Sequence, residues 1–495
     1  MFGRNPVAFV RKLRAEHGPE FVTCLGVVYL GVKGLAAGLV GAAALPLFMK
    51  QYNVTIERFQ AYSIAIMTPW SMKPAIGLLS DRVPVFGLSK VPYMLLAAFI
   101  GSGCTVGLAV MTGCSPTLAA LLLFGVSFEA AVVDLLSEGK YAEKMAKAPE
   151  SGSSLPSFVW ASLYIGSLLA AIVAGPMADA GHIRGIFVLA IPAAASVVVP
   201  LVLGWFPDVP STAKTEKTTV THLSWLAVLM AGASLGLTAT ALATTSGLAK
   251  LVYAVTASIV LIVMAHLLLP PLIARCNLYM FLASAAHLSL AGSLDYFYTA
   301  PSPCVKDGPH FSMTFYVTWS QIASAVASLL AIAAFQNWMQ EWRLRPLFWV
   351  STVVRCAAGI TDVLIVNRLN TAVGIPDEVA YMLGNNVASA VAGQMDLMPM
   401  VVLTSKLCPP GMEATVYAIL AGFQNFGGSV SAALGSALTT ALGVEAADVE
   451  AGDCTFDGLS TLIVLCHMTM PLLVVPMTFI LIPDAKLKET LEHVP

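Results

Sequence analysis

The sequence predicts an all-α polytopic membrane protein, built as two six-helix bundles with an extra helix pair between them. Three observations lead there. Of 495 residues, 57% are apolar and 11% charged, where a soluble domain carries about 25% charge. A soluble chain of this size cannot hide so much apolar surface, and the same composition excludes disorder. Apolar stretches also recur at the length of about 20 residues that a spanning helix needs. Finally, the basic residues sort by loop.

Fourteen spans follow in order. We label them α1 to α14: 21–49, 59–79, 91–111, 117–136, 155–177, 185–206, 223–243, 251–272, 278–299, 311–335, 346–366, 379–403, 415–442 and 459–482. Transmembrane strands would instead alternate over about 10 residues. The first span follows Arg4, Arg11, Lys12 and Arg14. It is far longer than a signal-peptide core of about 7–15 residues, so it stays in the membrane.

Basic residues orient the chain. With the N-terminus in the cytoplasm, 17 of 26 lie in inside segments. Six (Lys50, Arg58, Arg184, Lys250, Lys306, Arg368) lie outside, and three (Lys33, Lys73, Arg355) lie within spans. This bias fits the positive-inside rule and puts both termini in the cytoplasm. It fixes an even number of spans. Twelve is the alternative to fourteen, because removing α7 and α8 together keeps the parity. The polar stretch 207–222 divides the chain, giving bundles at 1–206 and 277–495 with a linker and inserted pair at 207–276.

Charge and motifs exclude several classes. A net charge of -2 argues against nucleic acid. Nine cysteines without C-x-x-C spacing suggest neither zinc nor redox chemistry. Cys304 and Cys454 fall in outside loops, with Cys114 near a third, so a disulfide and free thiols both remain open. No H-E-x-x-H, P-loop or paired-aspartate metal motif is visible, so we expect no enzyme, no cofactor and no metal.

An internal repeat supports two bundles. Ser127 precedes Asp134 by seven residues on α4, and Ser389 precedes Asp396 by seven on α12. Both helices are fourth in their six. Repeats related about the membrane normal mark major-facilitator transporters.

Eight ionisable residues fall inside spans: Lys33, Lys73, Glu129, Asp134, Asp295, Arg355, Asp362 and Asp396. At about 2.5–3.5 kcal/mol each, exposing all eight to lipid would cost on the order of 20–28 kcal/mol. They must face one another, water or a ligand. Asp295 and Asp362 lie near outer helix ends and read as snorkelling to the interface. Lys33 adjoins Gly34 and Gly38, whose spacing allows another backbone to come close. It reads equally as an ion-pair partner for an acid on α4 and as a cation for an anionic substrate. Lys73 lies between Pro69-Trp70 and Pro74, which should break α2 where it lines a cavity. Glu138 stands one turn beyond Asp134 and reads as solvated. Asn385, Ser389 and Asp396 form a stripe on α12, and Gln424 and Asn425 add hydrogen-bonding groups on α13. Arg355, on a helix expected to support the path, reads as a structural ion pair. The candidate binding set is Lys33, Lys73, Asp134, Asn385, Asp396, Gln424 and Asn425. Three cations oppose five acids, and an unpaired buried carboxylate tends to bind a proton. Glu129, Asp134, Asp295, Arg355 and Asp396 are therefore the candidates for proton coupling or ion pairing.

Gly77-Leu-Leu-Ser-Asp81-Arg82 followed by Lys90 is similar to the major-facilitator loop motif, a helix-end clasp acting as a gate. The stretch from Pro69-Trp70 through Lys73-Pro74 to Gly87 resembles the signature of the folate–biopterin transporter family. The kinetoplastid branch is suggested by Val32-Lys33-Gly34-Leu35 and by Asp134-Leu-Leu-Ser-Glu138-Gly-Lys-Tyr141. Further matches are Leu294-Asp295-Tyr-Phe-Tyr-Thr299, Arg345-Pro-Leu-Phe-Trp349, Asp396-Leu-Met-Pro-Met and Gln424-Asn425-Phe-Gly427. Glu129 departs from that pattern. The resemblance implies a monomeric major-facilitator carrier in the plasma membrane. It would import folate, biopterin or related pteridines by alternating access. S-adenosylmethionine is the alternative substrate within the family. A non-transporting receptor or a channel on the same fold is the alternative of another class.

Overall fold

The computed structural model describes residues 6–147, 154–208, 217–339, 341–407, 413–449 and 451–486. The chain is helical almost throughout. Among the described residues, ten helices are long and apolar enough to cross a membrane by length and composition. Residues 209–216 of the dividing stretch lie outside the described residues, as do the bases Arg4, Lys214 and Lys488.

The helices run longer than expected or break where polar residues enter. A short helix, Pro6–His17, precedes α1. The helix α1 is continuous over Pro19–Gln51, with π-helical stretches at Val27–Ala36 and Leu47–Gln51. A π-turn spreads the ladder where a side chain must be re-aimed, and Lys33 sits in the first of them. As expected from its prolines, α2 breaks, into Ile56–Ser71 and Lys73–Arg82. The helix α3 is Val91–Val110 and α4 is Pro116–Lys147, which runs past its predicted end. Next come α5 at Ser154–Asp179 and α6 at Ile183–Val202. The pair α7 and α8 forms Lys217–Ala243 and Gly247–Leu268.

The break in α9 was not anticipated. It is helical over Pro271–Ala286 and again over Ser293–Thr299. Between them Gly292 adopts φ +87°, a left-handed conformation open to glycine. Ser431 of α13 (Glu413–Ala441) bridges the gap: its Oγ donates to His287 O at 2.7 Å and accepts from Ser289 N at 2.8 Å. Backbone groups freed by the interruption are thereby satisfied. The helix α10 starts at Thr314, α11 is Leu344–Val366, and α12 runs from Asp377 to Leu407 with a π-stretch at Met382–Ala388. The helix α14 spans Leu459–Leu481.

One close approach is decisive. A Cβ added at Gly34 would lie 2.7 Å from Leu163 O and 2.9 Å from Gly166 Cα, so α1 and α5 meet backbone to backbone. Gly38 continues the contact against Ser167 and Ala170.

Two antiparallel strands, β1 (Glu445–Asp448) and β2 (Asp453–Thr455), form a hairpin between α13 and α14. It carries Cys454, which is disulfide-bonded to Cys304 in the α9–α10 loop. The question left open by spacing is therefore resolved: these two pair, while Cys114 is free and contacts the Tyr52 hydroxyl at 2.8 Å.

The two ends of the molecule pack differently. Toward the disulfide, one apolar core joins early and late helices, with Leu39, Phe48, Tyr62, Phe187, Tyr298, Phe311 and Leu462 among its members. Toward the end where both described termini lie, the core divides. One cluster draws on α1 and α3–α6, with Ala418 of α13. The other draws on α7–α14, with Ala61 and Ile64 of α2.

Candidate functional site

The break in α2 creates the centre of the site. Pro74 lacks the N–H that would bond to Trp70 O, four residues back, and orphans that carbonyl. Asn425 Nδ2, from α13, donates to it at 3.0 Å. The interruption also places Lys73 at the start of the second half-helix, buried against α4. Lys73 Nζ lies 2.7 Å from Asp134 Oδ2 and 3.1 Å from Glu138 Oε2. Lys33 Nζ takes the other oxygen of Asp134 at 2.8 Å. One carboxylate from α4 thus joins cations from α1 and α2. Glu138 is not solvated as expected, because Lys73 holds it within the bundle.

Aromatic faces complete this cluster. Lys33 Nζ stands 5.3–5.5 Å from the ring centroids of Tyr29, Trp70 and Trp160, and Lys73 Nζ 4.9 Å from Trp70. At such distances a desolvated ammonium gains about 2 kcal/mol from a ring face. Trp70 is oriented by its own hydrogen bond, Nε1 to Ser127 Oγ at 3.1 Å. Ser127 was singled out only for the repeat. Sequence reasoning missed Tyr29, Trp160 and Tyr164. The last two are separated by one helical turn on α5.

A second charged pair lies across the molecule. Arg355 of α11 pairs with Asp396 of α12, and both side chains stay partly exposed, at 24% and 30%. Between the two sets, Gln394 Nε2 donates to Tyr164 Oη at 2.6 Å, linking α12 to α5. Gln424 is half-buried beside Asn425 on α13. Asn385 does not join this group. The π-stretch turns it toward α11, where its Nδ2 donates to Asp362 Oδ1 at 2.9 Å.

Asp362 and Asp295 correct the snorkelling expectation. Asp362 is buried and also accepts from the Tyr298 hydroxyl at 2.5 Å. Asp295 caps the second half of α9 through Gly292 N at 2.8 Å and accepts from the Tyr316 hydroxyl at 2.5 Å. Both carboxyls point inward because tyrosines supply donors there. Glu129 faces α3 rather than the centre: it packs on the bare Cα of Gly101, and neither oxygen has a hydrogen-bond partner among the described residues.

The loop motif forms a clasp. Lys90 Nζ lies 3.3 Å from Asp81 Oδ1, and Arg82 donates to Ser224 Oγ of α7 at 2.8 Å. Gly77 rests against Leu135 of α4. Asp208, missed in the sequence, accepts from Lys90 N and Val91 N, both at 2.8 Å, and caps α3 with an acid where the helix dipole favours one. At the opposite end Asp179 does the same across the molecule, accepting from Met313 N and Thr314 N of α10 at 2.7 Å. Among the described residues no cluster of metal-ligating side chains occurs.

Helices long and apolar enough to cross a membrane, with ion pairs buried among them beside broken helices, define an integral membrane protein. Solved structures agree on the fold. A POT family peptide transporter superposes with TM-score 0.65 at 13% identity, over 93% of this chain and 96% of that one. A D-xylose–proton symporter gives 0.58 at 14%, over 95% and 98%. The sequence matches the BT1 family over residues 33–494, and the chain belongs to that family. Similar relatives include a folate-biopterin transporter of Synechocystis sp., 26% identical over 86% of this chain and 74% of the relative. A probable folate-biopterin transporter 2 of Arabidopsis thaliana is 27% identical over 89% and 80%. Folate transporter 2 of Plasmodium falciparum is 24% identical over 89% and 84%.

Proposed function

We propose that the chain is a secondary carrier for folate, biopterin or related pteridines, and not an enzyme. In this reading fourteen helices span the membrane, as bundles 1–206 and 277–495 with the pair α7–α8 inserted. The carrier works by alternating access, with both termini in the cytoplasm of a plasma-membrane protein. The single observation that carries the reading is Lys33–Asp134–Lys73 held at the α2 break among Tyr29, Trp70 and Trp160. Lys33 has no carboxylate but the shared Asp134 among the described residues and keeps 15% exposure, so it is the cation that can turn to the carboxylates of a glutamate tail. Aromatic faces suit a planar pterin ring. Arg355, Asp396, Gln424 and Asn425 line the opposite wall.

The packing closes the disulfide end. Contacts that cross the molecule near the disulfide include the Tyr296 hydroxyl to Val54 O at 2.5 Å, Gln60 Nε2 to Ala291 O at 3.0 Å and Lys250 to Glu57 at 2.7 Å. At the other end the apolar core falls into two clusters, with Pro74 of α2 packed against Gly422 of α13. A sulfonium such as that of S-adenosylmethionine would need free acids, but Glu129 packs against α3, and Asp295 and Asp362 are held by tyrosines.

Uptake of labelled folate, biopterin and S-adenosylmethionine in a transport-null cell tests the substrate. Folate or biopterin should accumulate. Accumulation of S-adenosylmethionine alone would replace the substrate assignment. Counterflow in proteoliposomes separates a carrier from a channel or receptor.

A further inference from the structure

Two histidines lie beside the Arg355–Asp396 pair and have no part in the site above. His287 ends the first half of α9, and His467 projects from the π-stretch of α14. Their rings stack with centroids 4.7 Å apart. His467 Nδ1 is 4.0 Å from Asp362 Oδ2. His287 Nδ1 is buried without a hydrogen-bond partner among the described residues. We infer that His287, His467 and Asp362 form a proton-binding site at the α9 hinge, one that couples proton movement to the carrier cycle. This rests on the carrier reading above.

The electrostatics favour one proton for the three groups. Two stacked imidazolium rings would repel strongly inside a span, and the Arg355 guanidinium acts on both rings. Opposing that, the donors to Asp362 at hydrogen-bond distance among the described residues, Tyr298 and Asn385, are neutral. A proton on His467 gives Asp362 its missing cation. The charged groups acting on the rings are Arg355 and Asp362 of α11. Asp396 of α12 acts through Arg355, and α13 presents the Ser431 hydroxyl. No bond other than N–H or O–H changes: a proton taken from water on one side is returned to water on the other.

Position makes such a proton consequential. Stacking on His287 sets His467 at the edge of the interrupted stretch of α9, and Gln60 of α2 reaches Ala291 in that stretch. A charge change at the pair therefore acts where early and late helices touch. Tyr298, the donor to Asp362, packs on Tyr381, which stacks on Tyr316, the donor to Asp295. Hydroxyl-bearing rings thus extend from the pair toward the disulfide end.

The test uses the full chain in proteoliposomes with labelled folate and biopterin. Substrate counterflow needs no net proton movement, so His467→Gln and His287→Gln should retain it. An inward acid gradient of one pH unit can raise accumulation by at most about tenfold per proton. The wild type should show this stimulation and both variants should lose it. Variants that respond like the wild type overturn the proposal, as does a wild type with counterflow but no gradient response. Absence of counterflow in the wild type instead defeats the carrier reading. A substrate-free measurement still decides the site in that case: nitrogen-15 spectra of histidine-labelled protein in nanodiscs across pH. Replacing either histidine should alter the titration of the other, because coupled groups titrate as a pair. Independent titrations would overturn the proposal.

Discussion

Lys73 and Lys33 grip opposite oxygens of one buried carboxylate, Asp134, at 2.7 and 2.8 Å. Removing the shared acid leaves Lys33 without a carboxylate among the described residues and Lys73 with Glu138 alone, and breaking a buried pair this way costs about 3–5 kcal/mol. Removing either lysine leaves Asp134 paired with the other. Asp134→Asn should therefore lower thermal stability more than Lys33→Ala or Lys73→Ala, while all three reduce uptake. Melting temperatures and uptake at matched surface levels check the ranking. A Lys73→Ala protein less stable than Asp134→Asn would contradict the shared-anion geometry.

Asn425 compensates for a proline. Its bond to Trp70 O at 3.0 Å exists because Pro74 offers no N–H. Asn425→Ala should cost about 1–3 kcal/mol through the unsatisfied carbonyl. In a Pro74→Ala background the helix can bond that carbonyl itself, so the same substitution should cost clearly less. A double-mutant cycle showing strict additivity would refute the link.

Gly34 and Gly166 set the distance between α1 and α5. Gly34→Leu drives a side chain into Leu163 O and the Gly166 backbone, and should exceed the usual overpacking cost of about 1–3 kcal/mol. Expression level and monodispersity read the effect. A well-folded, active Gly34→Leu protein would show that the helices can part there.

Glu129 should behave in the opposite way to Asp134. Both its oxygens are buried without hydrogen-bond partners among the described residues. Glu129→Gln removes any charge at nearly constant volume and should leave stability and uptake within about 1 kcal/mol of the wild type. Loss of uptake at normal stability would make Glu129 a participant in transport.

The Cys304–Cys454 disulfide spans 150 residues of sequence. Reduction, or the Cys304→Ser/Cys454→Ser variant, should lower stability by about 2–4 kcal/mol. Binding of substrate from the terminal side should persist. Unchanged melting with and without reductant would count against a formed bridge.

Composition and hydropathy determined the helical membrane class, because each stretch of about 20 apolar residues satisfies its own backbone in lipid. The break at Lys73 was also legible, since Pro69 and Pro74 act through local sterics and a missing donor. The basic residues and the repeat supplied an arrangement, and Gly34 supplied a close contact. Tertiary structure alone decided which charges meet. It paired both lysines with Asp134, joined Arg355 to Asp396 and turned Asn385 onto Asp362. It also moved Glu129 to the α3 face, interrupted α9, and stacked His287 on His467, residues 180 positions apart. A charge within a span announces that it needs a partner, but the partner sits on another helix. Helix rotation and π-turns, set by packing across the whole molecule, choose it.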